Sequence, residues 1–365
     1  MELLRSLANL FAIPRTVDGV YARLLWLVPI SILCHLLGAG DIVIFIVSIF
    51  ALVPLARYIA RATESAALQS NHTIGGLLNA TFGNLIELFI AIFALRRGLV
   101  EVVKASIIGS IVENVLLLIG VSMFFGGLKY SEQRFNRYSA GVSSTMLIIC
   151  TVGLAIPSVY AKACGGAHMQ TISSVVSAVL AAIYLCGLVF ALVTHRHLFD
   201  TTDEMRAIKE RPEWPLRKAV LILAVMTMAC AYESGLMVSR LEAGIQFFGF
   251  THAFVGAVIV AILTNVAEKT NAVIFARKNL VNLSIEIGTS SAIQIALFVV
   301  PILVFAGVVV RQPFFLDFTT FQLLAMVFAV TILNSLAPDG RCNWLEGSQL
   351  IAVYLIIATV FYFIE

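Results

Sequence analysis

Two short patterns place a side-chain amide three residues ahead of a carboxylate: Asn84 with Glu87 in "FGNLIELF", and Asn265 with Glu268 in "LTNVAEKT". Positions i and i+3 share one face of an α-helix, so each pattern presents an amide oxygen and a carboxylate side by side. Both lie in apolar runs, and an ionised carboxylate at the centre of a bilayer costs about 2.5 to 3.5 kcal/mol on insertion scales. Two such residues in matched settings need a shared reason. Neutralising one divalent cation is such a reason, because hard ions such as Ca²⁺ take oxygen ligands and two carboxylates balance the charge. The plainer alternative is hydrogen bonding between helices. That alternative suits Asn84 and Asn265 taken alone better than it suits two repeated glutamates.

The matched settings come from an internal repeat. The stretch "IGGLLNATFGNLIELFIAIFALRRGLV", 74–100, lies without a gap over "VGAVIVAILTNVAEKTNAVIFARKNLV", 255–281. Gly75 meets Gly256, Asn84 meets Asn265, Glu87 meets Glu268 and Arg96 meets Arg277, always at an offset of 181. The same offset puts Ser110 on Ser291 and Glu113 on Gln294. A repeat this long is a duplicated half of the molecule, not a solenoid period.

The elements that must position these residues are membrane helices. Of 365 residues, 60% are hydrophobic and 12% charged, with a mean hydropathy of +0.97, which excludes a soluble domain. Apolar runs of the length a helix needs to cross a bilayer recur from residue 20 onward. Spans are expected near 20–38, 41–60, 74–96, 99–125, 138–160, 171–194, 216–238, 251–276, 280–309, 315–335 and 343–364, about eleven in all.

The resulting fold class is an all-α integral membrane protein with one extra helix and two five-helix repeats. Residues 1–40 hold an amphipathic lead-in and the first helix, 41–194 the first repeat, 195–215 a cytoplasmic linker and 216–365 the second repeat. Five crossings per half invert the second copy. Inverted repeats place an ion site near mid-membrane, open to each side in turn, so a transporter is expected. The Lys and Arg residues, seventeen on one side of these spans against six on the other, set the N-terminus inside and the C-terminus outside.

Other classes find little support. The six cysteines have no paired spacing and read as small apolar fillers. No basic and aromatic patch points to nucleic acid. No HExxH, GxSxG or paired-Asp arrangement sits in a span, so an enzyme is not expected, nor is a bound cofactor. The partners expected are an inorganic cation, the proton and membrane lipid, with the oligomeric state left open. Short loops favour a prokaryotic inner membrane.

The segments "GGLLNATFGNLIELFIAIFAL" and "GSIVENVLLLIG" resemble the first signature region of cation/proton exchangers of the calcium/proton antiporter type. "TNVAEKTNAVIFARKN" and "SSAIQIALFVVP" resemble the second. The resemblance implies that Glu87 and Glu268 bind the cation and accept protons, with Asn84, Asn265, Ser110, Ser291 and Gln294 supporting them from flanking helices. It implies export of Ca²⁺ or a related divalent cation in exchange for protons.

Three positions depart from that pattern. Thr264 stands where a Gly usually precedes the Asn, Lys269 where a His usually follows the Glu, and Glu113 where a Gly is expected before Asn114. Ser290 also replaces a common Gly. The added carboxylate and the added ammonium leave the formal charge of the site unchanged, so Glu113 and Lys269 read as compensating changes. Two pairings are open. Lys269 with Glu113 would leave the divalent site intact. Lys269 with Glu268 would put a tethered ammonium in the cation site and favour exchange of Na⁺ or another monovalent ion. A third possibility is a cation sensor or scaffold that binds without transporting.

Overall fold

A computed structural model describes residues 17–195 and 212–364. The expected amphipathic lead-in, over residues 1–16, and most of the expected linker, over 196–211, lie outside the described residues. Among the described residues the chain is helical nearly throughout, with a two-residue antiparallel bridge pairing Gln133 with Cys342 and Arg134 with Arg341. Among the described residues nine helices are long and apolar enough to cross a membrane, or up to ten if a bent pair, Leu241–Phe248 with His252–Thr264, counts as one. Thr320–Leu336 is a shorter apolar helix.

The helices group into two compact units, each drawing on both halves of the chain. The first holds the described parts of Met1–Phe93 with Pro212–Phe250 and Leu263–Ala267. Its centre is the long helix Asp41–Ala67, packed against Leu216–Ser239, with Leu27–Leu36 and His72–Phe82 also on it. Ile44, Leu52, Leu55, Leu223 and Met237 fill this core. Two ion pairs tie it down: Arg240 reaches Asp41 at 3.3 Å, and Arg61 reaches Glu213 at 2.5 Å. Trp214 stacks on Tyr58, and the Arg61 guanidinium lies over the Trp214 ring, 5.7 Å from its centroid.

The second unit holds the described parts of Ala94–Arg211 with Thr251–Ile262 and Glu268–Glu365. Here Val100–Val112 runs against Val255–Val260 at backbone contact distance. A Cβ on Gly256 would stand 2.5 Å from the Val102 carbonyl oxygen, and one on Gly109 would run into the backbone of Ala257. Small residues of this kind let helices approach closely where lipid supplies no hydrophobic drive.

Three interruptions fall at one register in the two repeat stretches. Helix stops at Phe82 and resumes at Leu85 across Gly83 and Asn84; in the second stretch it stops at Thr264 and resumes at Val266 across Asn265. Both resumed helices end in a left-handed residue, Gly98 at φ +75° and Asn279 at φ +66°. The next helices begin at Val100 and Val281 and turn π-helical at Glu113–Leu118 and Ile295–Val299. The helical pattern is thus interrupted at the motif asparagine in both stretches, while Thr73–Arg96 still forms one 24-residue span, as expected over 74–96. Hydropathy is blind to such a break, because the flanking residues stay apolar on both sides.

The helix Leu241–Phe248, not foreseen, is closed by Gly249 at φ +66°. Of the cysteines, Cys150, Cys230 and Cys342 are buried and none is in a disulfide among the described residues.

Candidate functional site

The nine candidate residues divide between the units. Asn84, Glu87 and Asn265 belong to the first, and Ser110, Glu113, Glu268, Lys269, Ser291 and Gln294 to the second. Asn84, Glu87, Asn265, Ser110, Glu113 and Ser291 are buried, whereas Glu268, Lys269 and Gln294 are half-buried.

In each repeat stretch a site glutamate follows an interruption in the helix. Asn84 sits in the break, where its carbonyl accepts from the Leu88 amide at 3.1 Å and starts the helix that carries Glu87 in its first turn. Glu268 likewise lies in the first turn of Val266–Arg277. Each Glu is thus held in the first turn after an interruption of one or two residues in the helical pattern.

In the second unit the residues are linked by direct contacts. The Lys269 ammonium stands 2.7 Å from Glu113 Oε1 and donates to the Ile262 carbonyl oxygen at 3.0 Å. The first of the two expected pairings is the one the structure describes for Lys269. Glu113 opens the π-helical turn and is fully buried, so its carboxylate has a lasting counter-charge where water cannot supply one. Asn114 Nδ2 donates to Ser291 Oγ at 3.2 Å, joining the two repeat-equivalent helices. That bond depends on close approach at Gly288, where a Cβ would lie 2.8 Å from the Asn114 carbonyl oxygen. Ser290 is exposed, its hydroxyl folded onto the Ile287 carbonyl at 3.2 Å, so losing a glycine there costs no space.

Among the described residues no three His, Cys, Asp or Glu side chains gather as a metal cluster. None of the nine lines the polar cavity of about 380 Å³ that Glu132, Arg137, Asp339 and Arg341 surround.

Sequence reasoning passed over two residues. Asn114 was read only as a motif position, and its bond to Ser291 follows from helix packing. Glu233 is a fully buried carboxylate whose Oε2 accepts from the Ser31 hydroxyl at 2.7 Å in the first unit. The repeat offset puts Leu52 opposite Glu233, so duplication gave no signal for it.

A family model described as sodium/calcium exchanger protein matches residues 40–193 and again 218–363. The chain belongs to that family. It is 38% identical to a protein of Aphanothece halophytica named Ca²⁺/H⁺ antiporter, over 95% of this chain and 97% of that one. It is 39% identical to the Ca²⁺/H⁺ antiporter ChaA of Bacillus subtilis, over 92% and 96% of the two chains. The crystal structure of the selenium-substituted Ca²⁺/H⁺ antiporter protein YfkE matches with a TM-score of 0.81 and 36% identity, covering 94% of this chain and 99% of that one. The family resemblance read from the two signatures holds, and so does the helical, multi-span membrane fold.

Proposed function

We propose that this protein is a secondary antiporter that moves Ca²⁺ out of the cytoplasm in exchange for protons, with Glu87 and Glu268 as its cation- and proton-binding groups. The carrying observation is the matched break: in both repeat stretches the helix parts at the asparagine and restarts with a glutamate in its first turn. The names of relatives near 40% identity supply the pair of ions.

Each glutamate holds either a proton or a share of the metal's charge. The doubly charged empty state is costly in the membrane, so the carrier rearranges when neutralised, and that restriction yields exchange instead of leak. Asn84, Asn265, Ser110, Ser291 and Gln294 offer neutral oxygens that share the ion without adding charge. The five-plus-five inverted halves, the cytoplasmic linker at 195–215, an inside N-terminus, an outside C-terminus and a prokaryotic inner membrane complete the reading. The monovalent alternative rested on Lys269 entering the site at Glu268, and the ion pair described for Lys269 is with Glu113.

Proteoliposomes with an imposed pH gradient test this. Uptake of Ca²⁺ that collapses on adding a protonophore is expected in a screen of Ca²⁺, Mn²⁺, Na⁺ and K⁺. Uptake confined to Na⁺ or K⁺ would favour the monovalent reading, and Ca²⁺ binding without flux the sensor.

A further inference from the structure

The Lys269 contacts have the form of an ion site. An ammonium lies between a carboxylate oxygen at 2.7 Å and a backbone carbonyl oxygen at 3.0 Å. Both partners are oxygens, as an alkali cation requires, and together they carry one negative charge, matching a monovalent ion and not a divalent one. Ile262 lies in the last turn of the helical stretch that ends at Thr264, where the backbone dipole favours a cation. Glu113 is fully buried, so its carboxylate, when ionised, needs a positive partner. The side chain that supplies it comes from the residue directly after Glu268.

The geometry points to a monovalent-cation subsite, built from the Glu113 carboxylate and the Ile262 carbonyl, which the chain fills with its own Lys269 ammonium. A tethered cation cannot dissociate, so the subsite never takes Na⁺ or K⁺ from solution and adds no ion to the transport cycle. On the antiport reading, this leaves Glu87 and Glu268 to a divalent cation and protons, and makes exchange indifferent to Na⁺.

The test is a binding test and needs no transport. Wild type, Lys269→Met and Lys269→Met/Glu113→Gln are purified as full chains in detergent and melted in NaCl, KCl or choline chloride at equal ionic strength. In Lys269→Met, Na⁺ or K⁺ should raise the melting temperature saturably by at least about 2 °C over choline. Wild type and the double variant should show no such difference.

If Lys269→Met does not fold in choline, recovery of folded protein in Na⁺ or K⁺ carries the same meaning. A folded Lys269→Met that melts alike in all three salts overturns the proposal. So does a single variant that no cation restores while the double variant folds. Because the readout is thermal stability, a failure of Ca²⁺/H⁺ exchange would appear separately in the vesicle assay.

Discussion

Glu113 and Lys269 show how far side-chain chemistry can be followed at the residue scale. An extra carboxylate and an extra ammonium beside one site balance each other, and that balance is legible in the sequence alone. The Ile262 carbonyl that completes the contact is not, because every residue carries a backbone carbonyl and only the fold selects one. Removing one member of the pair should cost more than removing both. Lys269→Met, measured in choline, should lose about 3 to 5 kcal/mol of stability, since it strands a buried charge. Adding Glu113→Gln should restore most of the loss, so a double-mutant cycle should give a coupling of at least about 3 kcal/mol. Additive losses would dissolve the pair. Glu233 lies at the other extreme of legibility: it stands outside the repeat, and only packing reveals the Ser31 hydroxyl on it. Ser31→Ala should lower the stability of the protein by about 1 to 3 kcal/mol by removing that bond to a buried carboxyl, read from denaturant or thermal melts.

Among the elements, length and apolarity marked most spans correctly to within a few residues, for example Val281–Val309 against an expected 280–309. The interruptions that matter for the site were hidden. An interruption of one or two residues at Asn84 or Asn265 leaves hydropathy unchanged, and a π-helical turn at Glu113 leaves no mark in composition. What the sequence did carry was the offset of 181, and the breaks, left-handed ends and π-helical turns all keep that register. Close helix contact at Gly109 and Gly256 makes a sharp prediction. Gly109→Val drives a branched side chain into the Ala257 backbone, so Val100–Val112 and Val255–Val260 must separate. The yield of folded protein in detergent should fall steeply, with a loss of several kcal/mol in anything that survives. Gly141→Val, where an added Cβ meets nothing within 4 Å, should be tolerated.

For the molecule as a whole, the chain's two halves and its two compact units are different divisions, since each unit takes helices from both halves. Sequence similarity between halves reports duplication, whereas the units report which helices pack most closely, and no pattern of residues announces the second. The charge bias of the loops sets a further expectation: a reporter that is active only outside the cytoplasm, fused after Glu365, should be active, and one that works only inside should be silent. On the antiport reading, Glu87 and Glu268 each carry both the cation and the proton. The most direct measurement is pH-gradient-driven Ca²⁺ flux in proteoliposomes holding Glu87→Gln, Glu268→Gln or the exposed control Glu132→Gln. Flux should fall at least about 100-fold in each of the first two and stay within about twofold of wild type in the control, whereas full exchange by Glu87→Gln or Glu268→Gln would contradict the account.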